Sequence, residues 1–172
     1  KVAAIAIGGT GGVILTRLSG KLPHLDRTIA IDINPFALGQ VIADRKILIG
    51  DGKHRPRRAD TARFMAATVH AEIANAVADL DLVLLIVGMG GVAGSAISQT
   101  FAEVLQDQKI LSIAFAITPF DFEGPRRQKI ASSAMKALSK RVDVLIPFSN
   151  ELYAGKAGQT ASVTDVLNQV TD

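Results

Sequence analysis

Leu82-Val83-Leu84-Leu85-Ile86-Val87 runs without a break into Gly88-Met89-Gly90-Gly91-Val92-Ala93-Gly94-Ser95-Ala96. An apolar run with no polar alternation predicts a strand covered on both faces, as in a parallel sheet flanked by helices. The glycine-rich continuation predicts a tight turn at the strand's carboxyl end. It opens a helix whose Ile97, Phe101, Val104 and Leu105 share one face. Strand, glycine turn and amphipathic helix in that order form the repeating unit of a doubly wound α/β fold.

The same alternation continues in both directions. Strands are predicted at Val2–Ile7, Thr28–Ile33, Lys46–Ile49, Ile110–Ile117 and Val142–Ile146. Helical stripes fall on Ala62, Met65, Ala66, Val69, Ile73 and Val77, on Ile130, Ala134 and Leu138, and on Val163, Val166, Leu167 and Val170. The expected architecture is α/β: a doubly wound, mostly parallel sheet in a Rossmann-like three-layer arrangement, forming a single domain over residues 1–172. In such a sheet ligands bind outside the carboxyl ends of the strands, so the loops after the strands are where chemistry belongs.

Composition narrows the field. Of 172 residues, 48% are apolar and 20% charged, which is a globular balance rather than a disordered one. There is no cysteine, which excludes disulfides, thiolate metal sites and a cysteine nucleophile. A net charge of +3 is too small an excess to point to nucleic acid. No apolar run approaches the length of a membrane span, and the first residues already form a strand instead of a signal peptide. A cytoplasmic chain with no nucleic-acid partner is expected. It starts without Met inside that strand, as a trimmed piece would. His24, His54 and His70 lack metal-ligand spacing, and no serine-hydrolase motif occurs, so neither chemistry is expected.

Four loops carry the candidate site. The first is Gly8-Gly9-Thr10-Gly11-Gly12, between the first strand and a helix expected to start near Val13. Its glycines let backbone approach a phosphate at a helix N-terminus, or they make only a tight turn. The second is the stretch quoted above, whose consecutive N–H groups can form an anion-binding nest at a helix start, with Ser95 either capping that helix or touching a phosphate. Neither is a Walker loop, because neither reads G-x-x-x-x-G-K-[ST]. Gly9 and Gly11 with Asp32 also make a broken dinucleotide fingerprint, which keeps an NAD-type reading open. The third loop is Thr118-Pro119-Phe120-Asp121-Phe122-Glu123-Gly124-Pro125-Arg126-Arg127. Glu123 suits ribose hydroxyls and Arg127 suits phosphate or base; alternatively Glu123-Gly124-Pro125 simply starts a helix. Phe120 and Phe122 are expected as core anchors. The fourth is Ser149-Asn150-Glu151, where Asn150 would pair with a base edge or make a turn.

Together these loops resemble the nucleotide-binding half of the tubulin/FtsZ family of filament-forming GTPases. The second loop looks like a degenerate form of that family's glycine signature, and Pro119-Phe120 with Phe122-Glu123-Gly124 and Arg127 is the most specific match. Ala43–Gly50 and Leu138–Asp143 resemble further stretches. The resemblance implies that GTP or GDP binds, with Gly8, Gly9 and Gly11 facing the phosphates and Gly90, Gly91, Gly94 and Ser95 as the main cradle. Glu123 would hold ribose, Arg127 would lie beside the nucleotide, and Asn150 and Asp165 would read guanine. Ser162-x-x-Asp165 also fits a capping box that needs no ligand. Any Mg²⁺ would ride on phosphate oxygens. Self-association into filaments and a role in cell division are implied too.

This chain departs from the family pattern at Val13, Val92, Ala93, Ala96 and Ala161, and its loop after the third strand is basic, with Lys53, Arg55, Arg57 and Arg58. A degenerate, non-hydrolysing relative acting as an assembly or partner-binding module is the alternative. The family's hydrolytic loop and second domain lie beyond residue 172, so hydrolysis by these residues alone is not expected.

Overall fold

The computed structural model describes residues 1–53 and 59–150. Its elements are β1 (Val2–Ile7), α1 (Gly8–Leu18), β2 (Arg27–Asp32), α2 (Pro35–Gln40), β3 (Arg45–Leu48), α3 (Ala59–Thr68), α4 (His70–Val77), β4 (Leu82–Gly88), α5 (Val92–Asp107), β5 (Leu111–Thr118), a 3₁₀ turn (Asp121–Glu123), α6 (Pro125–Leu138) and β6 (Val144–Ser149). The strands form one sheet in the order β3-β2-β1-β4-β5-β6, and every pairing is parallel. This is the doubly wound order expected, with the switch point between β1 and β4.

Two apolar layers hold it. On one face Ile5, Ile7, Ile29, Ile31, Val83, Leu85 and Val87 pack under Ile97, Phe101, Leu105, Ala134 and Leu138. On the other, Ala4, Ala6 and Ile86 meet Ile14, Leu15 and Leu38. Alternate residues of the central strands therefore feed both cores, which is why these runs show no polar alternation.

The structure corrects several boundaries. The first glycine run is not a loop before a helix at Val13; it is the opening of α1 itself, from Gly8. Low glycine propensity hides a helix that close packing on β4 enforces. The single helical stripe from Ala62 to Val77 is split at Val69, whose N–H bonds Ala66 O three residues back at 3.2 Å. The short helix α2 had no periodic signal. It forms because Pro35 sits at its first position and Asn34 Oδ1 accepts from Phe36 N at 3.2 Å. β6 starts later than expected, after Asp143 accepts from Ser112 N and Oγ, both at 2.8 Å. Phe122 is no core anchor: it is 73% exposed and stacks on buried Phe120 with ring centroids 5.0 Å apart.

At the amino ends of the strands, Arg27 sets both Nη atoms on Asp79, at 2.9 and 3.1 Å, and Lys1 Nζ adds a bond at 2.8 Å. These bonds, Arg27's foremost, hold the Asp79 carboxyl well below the usual carboxylate range. The folded chain favours the charged form. The pair's contribution is therefore present above the unfolded Asp value of about 3.9 and is lost as pH falls below it. Asp79→Asn is expected to flatten the acid limb of the stability curve below about pH 4. Urea titrations at a series of pH values check this; an acid limb identical to the parent's would mean that solvent screening cancels the pair.

Candidate functional site

The carboxyl ends of the strands converge on one cleft of about 330 Å³. Gly8, Gly9 and Thr10 come from the start of α1, Asp32, Ile33 and Asn34 from the end of β2, and Gly88, Met89, Gly91 and Gly94 from the turn into α5. Thr118 and Pro119 follow β5, Glu123 and Arg127 flank the start of α6, and Asn150 follows β6. The two glycine segments do meet across one groove, as adjacent β1 and β4 require.

The glycines divide into two kinds. Gly8 takes φ +78° at the joint of strand and helix, a conformation that favours glycine. A Cβ on Gly9 or Gly91 would meet nothing within 4 Å, so these positions owe their smallness to no packing partner. Gly11, Gly12 and Gly90 do not line the cleft. A Cβ on Gly11 would lie 2.4 Å from Ile86 O, one on Gly12 2.6 Å from Val41 Cγ2, and one on Gly90 3.1 Å from Pro119 Cγ. They let segments of the chain approach each other. Gly94 does both: it lines the cleft, and a Cβ there would lie 2.7 Å from Gly88 O.

Donors are available where an anion would sit. The first N–H groups of α1 and α5 lack intrahelical acceptors, and both helix starts carry the positive end of the helix dipole. Neither has a side-chain cap. Ser95 does not cap α5; it lies in the helix, buried, and its Oγ has no hydrogen-bond partner. Asn150 is buried as well, and its Oδ1 is likewise unpartnered. Of the two, Asn150 lines the cleft and Ser95 does not; an orphaned buried polar atom at a cleft is unusual, because such atoms are normally satisfied.

Glu123 is partly committed within the protein. Its Oε1 accepts from Phe120 N at 2.8 Å and its Oε2 pairs with Arg127 one helical turn on. It both shapes the turn before Gly124, which takes φ +90°, and faces the cleft. Asp32, which the broken fingerprint singled out, also lines the cleft. Val13 does not; it borders a separate groove of about 300 Å³ between α1 and α2, together with Thr16 and Val41. Asp165 and Ala161, and Arg55, Arg57 and Arg58 of the basic loop, lie outside the described residues, as do the side chains of Val92 and Ala93. No group of three or more His, Asp or Glu residues able to hold a metal occurs among the described residues. No helix among them is long and apolar enough to cross a membrane.

A parallel sheet in this order, with glycine-opened helices meeting at the switch point, defines a nucleotide-binding α/β domain. The chain belongs to the Tubulin/FtsZ family: the model of its GTPase domain matches residues 1–155. It is 30% identical over 158 residues to cell division protein FtsZ 1 of Methanocaldococcus jannaschii, covering 88% of this chain and 43% of that protein. It is 27% identical over 175 residues to cell division protein FtsZ of Pseudomonas aeruginosa, covering 99% of this chain and 44% of that protein. Among solved structures, the empty FtsZ dimer of M. jannaschii superposes with a TM-score of 0.89 at 26% identity, over 99% of this chain and 51% of that one. CetZ2 from Haloferax volcanii shares the fold, with a TM-score of 0.87 at 17% identity over 99% and 55%. The chain thus spans about half the length of the proteins it matches, or less.

Proposed function

We propose that the cleft binds a guanine nucleotide, GTP or GDP, and that the chain is the nucleotide-binding part of a cytoplasmic, FtsZ-like protein that assembles into filaments in cell division. The observation that carries this reading is the pairing of two glycine-opened helix starts with an orphaned buried polar atom, Asn150 Oδ1, around one cleft. Such an orphan is what a site looks like when its ligand supplies the missing partner.

The work divides along the groove. Backbone N–H groups at Gly8–Thr10 and in the turn through Gly91 and Gly94 hold phosphate oxygens without a Walker lysine. The Glu123 carboxylate accepts from ribose hydroxyls, with Arg127 beside it. Asn150 pairs with the base edge, and Asp165, outside the described residues, accepts from the N–H donors of guanine, which adenine lacks. Any Mg²⁺ would be held largely by phosphate oxygens and supply charge neutralisation.

Two other readings remain in play. Asp32 at the end of β2, in a sheet of the dinucleotide-binding order, favours an NAD-type ligand. The substitutions in the glycine signature favour an assembly module without nucleotide. Calorimetric titration with GTP, ATP and NAD separates them. Micromolar GTP binding with none for ATP is the expected result. Silence with all three nucleotides supports the module, and NAD binding alone overturns the proposal.

A further inference from the structure

The positive charge of the chain is not spread evenly. Of its 19 Lys and Arg, six fall between Pro125 and Arg141, a stretch with no Asp or Glu; the remaining 13 are outnumbered by the 16 acids. That stretch is α6 and the turn that closes it. Two of the six cations are paired, Arg127 with Glu123 and Arg141 with Glu103. Arg126, Lys129, Lys136 and Lys140 are exposed and make no ion pair among the described residues.

These cations form a row. Arg126, Lys129, exposed Ser133 and Lys136 recur at spacings of three and four, which puts them on one face of the helix. Ala131, Ala134 and Leu138 occupy the buried face. Lys140 follows four residues after Lys136, in the closing turn. At 1.5 Å per residue the row is about 20 Å long.

The fold gains little from this row. A cation in the first turn faces the positive end of the helix dipole, and the first turn of α6 has no acid to offset Arg126. Like charges three or four residues apart repel, as Arg126 does Lys129 and Lys136 does Lys140. Lys136, in the last turn, is the one placed well for the dipole. A row that works against its own helix points to an anion outside the chain.

Its shape narrows the partner. The row is one helix face wide and carries no apolar side chain. Exposed Asp121 precedes α6, exposed Asp143 follows it, and Glu103 of α5 borders it through Arg141. A bilayer or a nucleic-acid duplex laid across α6 would press its negative charge on those acids too. A single extended chain can run between them, and six or seven residues at about 3.3 Å each cover the row. We propose that the exposed face of α6 docks a short acidic segment, about six or seven residues long, of a partner protein. Arg127, the α6 residue that lines the cleft, stays with Glu123, so this surface stands whether or not the cleft holds guanine nucleotide.

The test follows a rhodamine-labelled hepta-glutamate peptide by fluorescence anisotropy. It is titrated with the whole chain at 50 and 200 mM NaCl, with and without excess GTP. Arg126→Glu and Lys136→Glu probe the row at two points. Lys109→Glu, between α5 and β5, makes the same change in net charge elsewhere. The parent is expected to bind with a Kd below about 1 mM at the lower salt, and about threefold or more weakly at the higher. Arg126→Glu and Lys136→Glu each weaken binding about fivefold, and Lys109→Glu changes it by less than about twofold. Arg126→Glu places an acid in the first turn of α6, so its melting temperature is expected at or above the parent's, which separates lost binding from lost fold.

No binding by the parent at 50 mM NaCl overturns the proposal and leaves α6 a solvated face. Equal weakening by all three variants also overturns it, because net charge alone then governs. Displacement by excess GTP places the peptide in the cleft and overturns it as well. So does failure of the peptide where phosphatidylglycerol vesicles, an oligothymidylate or a second copy of the chain binds and is lost in the same two variants. That result would assign the row to a membrane, a nucleic acid or self-association instead.

Discussion

A Gly11→Val chain is expected to melt about 6–12 °C below the parent, whatever its nucleotide state. The Cβ position at Gly11 lies 2.4 Å from the carbonyl oxygen of Ile86 and 3.3 Å from its carbonyl carbon. That obstacle is backbone in the middle of β4, paired on both sides to β1 and β5, so it cannot swing away as a side-chain tip would. Relief requires α1 to lift from the sheet, which opens the layer containing Ile14, Leu15 and Ile86. Overpacking in a well-filled core costs about 1–3 kcal/mol, and a rigid obstacle puts this case at the top of that range or above. At roughly 2–4 °C per kcal/mol for a chain of this size, the shift is readily seen by calorimetry.

Gly9→Ala is the control. Nothing lies within 4 Å of its Cβ position, and alanine gains up to about 1 kcal/mol of helix propensity, so stability is expected to hold or rise. Gly9 lines the cleft, however, so nucleotide affinity is where that substitution registers. A Gly11→Val chain melting within 2 °C of the parent would show that α1 has slack over β4, against the close approach described.

That contrast shows how far the residues could be read in advance. The fold was legible because Leu82–Val87 and its sister runs lack polar alternation, which only a sheet covered on both faces explains. The cleft was legible because the strand order puts the residues after β1, β4, β5 and β6 side by side. What one residue letter does not carry is the reason for a glycine. A Cβ on Gly9 would meet open space at the cleft and one on Gly11 would meet Ile86 O, yet the two are identical in sequence. Phe120 and Phe122 diverge for a related reason. The turn after β5 is 3₁₀ rather than extended, so one ring is buried and the next stacks on it from solvent. Ser95 and Asn150 were recognisable as polar residues after strands. That each holds a buried atom without a partner depends on the packing around it.

Those orphans yield a prediction in which stability and binding move in opposite directions. Asn150→Leu replaces an amide of similar size, whose Oδ1 is buried and unpartnered in the free chain. Leaving such a group unsatisfied costs about 1–3 kcal/mol, so removing it is expected to leave the free chain as stable as the parent or more so. Ser95→Ala is expected to behave the same way, with a small added gain from helix propensity in α5. Binding goes the other way. If the guanine edge supplies Asn150 with its missing partner, the leucine variant leaves that edge unpaired in a desolvated site. GTP affinity is then expected to fall by about 2 kcal/mol, roughly 30-fold. Stability comes from urea titration of the nucleotide-free chain, and affinity from calorimetry on the same preparations. A structural hydrogen bond would show a loss in both measurements; a surface turn residue would show a change in neither. Only a polar group held unsatisfied for a ligand shows a gain in one and a loss in the other. If Asn150→Leu keeps GTP affinity within threefold of a parent that binds, base reading must be assigned elsewhere along the groove.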